Sequence, residues 1–337
     1  MLRESKHEGH SPAIDDMDNT DRKLLNEVQW SFPLDTRPFR ELGKRSGIDE
    51  HETIERISRL RKIGIIRQIS AIYDTRRLGY SSTLVSFSVD ERMIDSVAER
   101  INSHPGVSHN YRRDGEFNLW FTLATPPGTD VSKEAARLAE ENGVSRWHVL
   151  PAIKLYKIGV RLNMTGEAVR TEEEKRSWKT PFVPGEEDRR FIRVTQRDIE
   201  TIPAPFDSMS AELGMSNEEL FRRFAAYQEL GVMRRFAAIL RHQKAGFVAN
   251  GMVCWRADEE ESARIAEAAR EFSEISHCYM RPTYEDWPYS TFTMIHGRER
   301  SECEHIASEL SRKTGLSDYV ILYSTKEYKK QRVEYFV

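Results

Sequence analysis

The chain repeats itself, and that repetition limits what it can fold into more than any other property. DRKLLNEVQWSFPLDTRPF (21–39) lies on DRRFIRVTQRDIETIPAPF (188–206). Asp21 pairs with Asp188, Gln29 with Gln196, Pro38 with Pro205 and Phe39 with Phe206, all at one separation. The same separation lays KIGIIRQISAIYDTRRLGY on ELGVMRRFAAILRHQKAGF, so Gly64 meets Gly231, Arg67 meets Arg234 and Gly79 meets Gly246. With one extra residue VSHNYRR meets ISHCYMR and His109 meets His277. At the ends, Lys154-Leu-Tyr156-Lys157 meets Lys326-Glu-Tyr328-Lys329. A register held this long is a duplication, so the fold of one copy is the fold of both.

Within the first copy, Asp21 is placed to cap a helix carrying Leu24, Leu25 and Val28 on one face. Pro33 and Pro38 interrupt it. A second helix runs from Phe39 to Gly47, and a third, capped by Asp49, carries Ile54, Ile57 and Leu60 to Gly64. IIRQISAIYD then reads as extended, which predicts three helices followed by a two-stranded wing, a winged helix-turn-helix. STLVSFSV, MIDSVAERINSH, a hairpin turning at Asp114-Gly115, VSKEAARLAEENG and a last strand SRWHVLPAIKLYKIG give the order β-α-β-β-α-β of a ferredoxin-like sandwich. The fold class is therefore α+β, a tandem duplication of a winged helix-turn-helix plus a ferredoxin-like domain. The expected division is a disordered polar tail over 1–20, the first pair over 21–80 and 81–162, a charged linker over 163–187, and the second pair over 188–246 and 247–337.

No apolar run is long enough to span a bilayer, and the polar N-terminus has no secretory core. Cys254, Cys278 and Cys303 are too few and scattered for a disulfide framework or a zinc site, so reduced thiols and a cytoplasmic location are expected. The net charge of −3 argues against a protein whose affinity comes from neutralising phosphates.

Each copy resembles the Lrp/AsnC family of transcription regulators nearly end to end, but a shared fold does not settle function. The motifs HNYRRDGEFNLWFT, SHCYMR with WPYSTFTMIHG, RHQKAGF after the second wing and LPAIKLYKIG at the end of the first copy are more similar to the siroheme decarboxylase branch of that superfamily. The resemblance implies loss of CO2 from the C12 and C18 acetates of siroheme, giving 12,18-didecarboxysiroheme for haem or haem d1 biosynthesis. It implies two related subunits, here a fused pseudo-heterodimer with edges open to further homodimer pairing. The partner it implies is siroheme or a related haem-like tetrapyrrole, with no separate cofactor, because the macrocycle can accept the electrons, and no intrinsic metal.

A flat ligand ringed by carboxylates needs cations at its edge and apolar walls on its faces. Arg112, Arg113 and Arg281 are candidate carboxylate anchors, Lys154, Lys157, Lys326 and Lys329 further ones, and Tyr111, Trp120, Tyr279, Tyr284, Trp287 and Tyr289 candidate walls. His109 and His277, at equivalent positions, are assigned to acid/base work or ligation of the substrate iron, without choosing between them. His242 and His296 occur only in the second copy, Thr75 standing where His242 would be, so one productive site is expected rather than two. The plainer readings are strand hydrogen bonding for the histidines, core packing for the aromatics and solvated sheet edges for the lysines.

The competing readings are a DNA-binding regulator and a haem sensor. Against the regulator, the two recognition helices lead with Asp49, Glu50 and Glu52 and with Glu218 and Glu219, where phosphates would approach. DNA binding is therefore not expected, nor is a membrane partner.

Overall fold

The computed structural model describes residues 17–158, 182–240 and 249–337. Most of the expected tail and linker, together with His242 and the RHQKAGF segment, lie outside the described residues. The first copy runs α1 (Asn19–Trp30), α2 (Pro38–Ser46), α3 (Glu50–Lys62), β1 (Ile66–Tyr73), β2 (Ser81–Ser88), α4 (Ile94–Asn102), β3 (Val107–Arg113), β4 (Leu119–Thr125), α5 (Val131–Glu141), β5 (Arg146–Leu150) and β6 (Lys154–Ile158). The second runs α6 (Glu186–Thr195), α7 (Phe206–Leu213), α8 (Asn217–Glu229), β7 (Met233–Leu240), β8 (Ala249–Trp255), α9 (Glu259–Ala269), β9 (Ile275–Met280), β10 (Thr291–Gly297), α10 (Arg300–Thr314) and β11 (Tyr319–Lys330).

Helix α1 starts earlier than expected. Asp18 rather than Asp21 is its cap: the Asp21 N–H donates to Asp18 Oδ1 at 2.8 Å, and the Asp21 carboxylate accepts the Asp18 N–H in return. Gly47 ends α2 at φ 76°, a backbone conformation that costs glycine little, and the Asp49 side chain caps α3.

The wing also differs from the expectation. Each copy supplies one strand, and β1 pairs antiparallel with β7 of the other copy, Ile69 opposite Ala238 and Ala71 opposite Phe236. The stretch between Gly64 and Asp74 holds only one strand, so its open edge is satisfied by the same strand of the second copy. One apolar core consequently serves both helical units: Phe32 meets Phe206 and Phe236 at centroid distances of 6.4 and 5.6 Å.

The remaining strands form a nine-stranded sheet in the order β5-β2-β4-β3-β11-β8-β10-β9-β6. SRWHVLPAIKLYKIG is not one strand. It breaks at Pro151, β5 pairing with β2 of its own copy and β6 with β9 of the other. In the second copy β11 is continuous: Tyr319–Tyr323 pairs with β8, and Ser324–Lys330 crosses to β3 of the first copy. The copies thus exchange their closing strands.

This order forces curvature. Nine strands laid flat would put the outer two about 38 Å apart, yet β5 and β6 are joined by residues 151–153, a link spanning at most about 14 Å. The sheet must curl until its edges approach. Helices α4 and α5 cover the outer face of one half and α9 and α10 that of the other. The inner face is closed by Phe117, Trp120, Leu150, Met252, Trp287 and Leu322.

Candidate active site

Inside the curl lies a cavity of about 470 Å³, within the range of small-molecule sites. Residues i, i+2 and i+4 of a strand share a face, so β3 presents His109, Tyr111 and Arg113 to it, and β9 presents His277 and Tyr279, with Arg281 just past its end. Each set forms a ladder. Ring centroids are 6.3 Å apart for His109–Tyr111 and 5.8 Å for His277–Tyr279. Arg113 and Arg281 lie 5.7 and 4.8 Å over their tyrosine rings.

Both arginines reach across the copies. Arg113 Nη1 donates to the Leu322 carbonyl at 2.9 Å, and Arg281 Nη1 donates to that of Leu150. The buried Nε of each has no hydrogen-bond partner among the described residues. Burial lowers both guanidinium pKa values, that of Arg281 to about 10, which leaves Arg281 charged at neutral pH. Lys330 adds a third cation, and among the described residues no aspartate or glutamate lines the cavity. Trp120, also in the lining, is buried and donates its Nε1–H to the Phe117 carbonyl at 2.6 Å.

The histidines differ in their surroundings. His109 Nδ1 lies 2.9 Å from Ser108 Oγ. Burial first, then the charges of Lys330 and Arg67 and the neighbouring His277, push its pKa down to about 4, so it is a neutral imidazole at physiological pH. In the second copy a longer chain runs on. His277 Nδ1 lies 2.7 Å from Ser276 Oγ, Ser276 Oγ 2.7 Å from His296 Nε2, and His296 Nδ1 2.6 Å from Asn250 Oδ1. Strand pairing sets Asn250 opposite His296 and Ser82 opposite Ala124, so the first copy holds Ser82 and Ala124 where the second holds the outer half of this chain.

Several expected site residues lie elsewhere. Arg112, between two inward residues, points outward and pairs with Glu91. Lys157 donates to the Ala269 and Phe272 carbonyls at the end of α9, and Lys329 to those of Asn102 and His104 at the end of α4, each covering a helix C-terminus of the other copy. Lys154 pairs with Glu259 and Lys326 with Asp95 on the exposed outer face. Tyr284 stacks on His148 at 4.1 Å and donates to the Val149 carbonyl at 2.6 Å. Trp287 packs behind Trp120 at 5.4 Å, with Tyr289 against it at 5.1 Å. Those three aromatics close the seam beside β5 rather than facing the cavity. His296 does line it; His242 lies outside the described residues.

Polar residues that escaped assignment from the sequence include Ser108, Asn250 and Lys330 in the cavity wall and Ser276 beside it. The serines carried a signal, since Ser-His recurs in both copies. Lys330 and Asn250 carried none, because only the strand exchange brings Lys330 opposite His109. The described residues hold no group of three or more His, Cys, Asp or Glu able to bind a metal ion, and none of their helices is long and apolar enough to cross a membrane.

Residues 21–67 and 188–234 match the siroheme decarboxylase NirDL-like HTH domain family, and residues 77–157 and 244–329 the AsnC-like ligand binding domain family. A siroheme decarboxylase of Hydrogenobacter thermophilus is 39% identical over 322 residues, covering 95% of this chain and 96% of that one. A siroheme decarboxylase beta subunit of Methanosarcina barkeri is 38% identical over 146 residues, 43% of this chain and 96% of its own length. Among solved structures, siroheme decarboxylase NirDL in complex with an iron-uroporphyrin III analogue superposes with a TM-score of 0.75 at 35% identity, covering 95% of both chains.

Proposed function

This chain belongs to the siroheme decarboxylase family, and from that premise we propose that the cavity between its two copies removes CO2 from the C12 and C18 acetates of siroheme, yielding 12,18-didecarboxysiroheme for haem or haem d1 formation. The observation that carries the reading is the lining itself: two His–Tyr–Arg ladders facing one cavity whose described lining carries cations and no aspartate or glutamate. Such a wall attracts a polyanion, and the stacked rings offer flat surfaces to a macrocycle.

Each decarboxylation breaks one C–C bond, releases CO2 and consumes one proton as the acetate becomes a methyl group. The conjugated macrocycle of the substrate takes up the electron pair that CO2 leaves behind, so the reaction calls for no resident organic cofactor. Proton supply falls to the second copy. Asn250 Oδ1 accepts the Nδ1–H of His296, so an extra proton on His296 sits at Nε2. From there it passes to Ser276, whose own proton passes to His277 Nδ1 as His277 releases its Nε2 proton to the substrate. After transfer every member is neutral and the hydrogen bonds have reversed direction. His109, kept neutral, is assigned to the substrate iron through a nitrogen lone pair, or to acceptance of a proton.

The helical units support this reading over a DNA-binding one. Arg56 on α3 pairs with Asp18 at 2.7 Å and Asp21 at 3.0 Å, Arg61 with Asp198 at 2.6 Å, and Arg223 on α8 with Asp188 at 2.8 Å. These three cations are engaged within the protein. The three buried free cysteines fit a reducing compartment, and we assign the protein to the cytoplasm. The test is anaerobic incubation with siroheme followed by mass analysis of the tetrapyrrole. Loss of two CO2 units is expected; tight binding of unchanged siroheme would indicate a sensor.

A further inference from the structure

Strand β11 changes its step where it crosses to β3. Two bulges, at Thr325 and Tyr328, interrupt the pairing, so every third residue rather than every second turns toward the cavity. Ser324, opposite Arg113, and Lys330, opposite His109, both line it. Lys326 and Lys329 reach Asp95 and the end of α4 on the other face. Glu327 lies midway between Ser324 and Lys330 and stands directly opposite Tyr111, which is itself in the lining. Directly opposed residues share a face, their Cβ atoms about 5 Å apart. The Tyr111 hydroxyl donates to the Glu327 carboxylate, and burial, then that negative charge, holds its pKa above the ordinary tyrosine value. Glu327 is exposed to solvent. The pair therefore joins bulk water to the cavity wall.

The other ladder is built differently. There β6 takes the place of β11, and Leu155 stands opposite Tyr279 where Glu327 stands opposite Tyr111. A leucine holds no proton. That side has instead the chain from Asn250 through His296 and Ser276 to His277, which the first copy lacks, Ala124 standing where His296 would be. The copies thus differ twice and in opposite senses. The reaction consumes two protons, one for each acetate. Those acetates sit on neighbouring rings, mirror-placed about the bridge between them, so a macrocycle lying across two related ladders turns one acetate toward each.

We propose that Glu327 and Tyr111 form a second proton inlet, which serves the acetate on the first-copy side while the His296–Ser276–His277 chain serves the other. This rests on the decarboxylase reading above and adds a first-copy inlet to the second-copy supply. Glu327, protonated from water, passes its proton to the Tyr111 oxygen as the Tyr111 hydroxyl proton forms the new C–H bond at the methylene that CO2 leaves. The electron pair of that bond returns from the macrocycle. Tyr111 ends neutral and Glu327 ends as a carboxylate, ready to be protonated again. A phenol whose ionisation is opposed suits a step in which it gives a proton only as it receives one. Tyr111 meets the substrate, and Glu327 is the positioning residue that acts through it.

The test is anaerobic turnover of siroheme by the full chain, with once- and twice-decarboxylated tetrapyrroles separated by chromatography and identified by mass. The chains compared are wild type, Glu327→Gln, Glu327→Asp, Tyr111→Phe and Ser276→Ala. Glu327→Gln should hold the KM and one CO2 loss within about 2-fold of wild type and slow the other loss at least about 10-fold. A once-decarboxylated species then accumulates. Tyr111→Phe should accumulate the same species, and Glu327→Asp should bring the slowed loss back to within about 3-fold of wild type. Ser276→Ala should accumulate its isomer, equal in mass and different in retention, with the other acetate kept. Equal slowing of both losses in Glu327→Gln, a raised KM at unchanged kcat, or wild-type kinetics would each overturn the inlet. One and the same isomer from Ser276→Ala and Glu327→Gln would overturn the assignment of one inlet to each acetate. A wild type that releases no CO2 would remove the decarboxylase reading itself, and the inlet with it.

Discussion

The Nε2 of His296 stands 2.7 Å from the hydroxyl of Ser276, which in turn meets His277 at the same distance. If this hydroxyl passes the proton that replaces CO2, Ser276→Ala should lower kcat by about 10²-fold, the low end of the range for general acid–base help. Affinity for iron uroporphyrin should change little, since no anchoring charge is lost. Ser108→Ala, in the shorter first-copy chain, should cost far less. Equal losses in the two variants would refute a relay confined to the second copy.

The depressed pKa of His109 links folding to pH. Its pKa is about 4 in the folded chain against an ordinary value of 6.5, so between these values the unfolded chain binds the proton and the folded one does not. Stability from this group is complete above pH 6.5 and is lost as pH falls towards 4. The thermal midpoint should decline across that window, and His109→Gln should flatten the decline. His148, also held below its ordinary value by burial, leaves a residual slope of the same sign. A midpoint equally steep in His109→Gln would assign the effect to other groups.

The strand exchange and the shared helical core predict that neither half is a folding unit. Residues 1–162 or 182–337 produced alone should aggregate, because β3 and β9 would each lose a neighbouring strand. Produced together they should co-purify as a one-to-one complex by size-exclusion chromatography with light scattering. A stable monomeric half would contradict the interlocked sheet.

Gly106 sits where no side chain fits. A Cβ there would lie 2.0 Å from the Ala124 carbonyl oxygen, while the Ala124 N–H donates to the Gly106 carbonyl at 2.9 Å and holds the two strands together. Gly106→Ala should destabilise the protein by about 3 kcal/mol, read from denaturant unfolding, because backbone rather than a movable side chain must yield.

Much of this was legible in the chain. The duplication located both ladders, and recurrence singled out His109, His277, Arg113 and Arg281, all of which face the cavity. Local pattern failed where pairing is non-local. Nothing within LPAIKLYKIG signals that β6 leaves its own copy, and with it go Lys154 and Lys157, whose side chains meet Glu259 and the end of α9 instead of the cavity. Nor does alternation tell an aromatic facing a cavity from one packed just behind it, as Tyr284, Trp287 and Tyr289 are. Ser276 lies within SHCYMR, but its link to His296, twenty residues away, exists only once β9 and β10 are paired.

Ala124 in one copy against His296 in the other has a consequence for orientation. A socket with true twofold symmetry would accept a flat guest either way round and could not tell one edge from the opposite one. Here the two edges meet different partners, so turning the guest over changes which of its side chains faces the Ser276 hydroxyl. Joining two unequal copies in one chain makes that handedness permanent, since two identical halves can never assemble in its place.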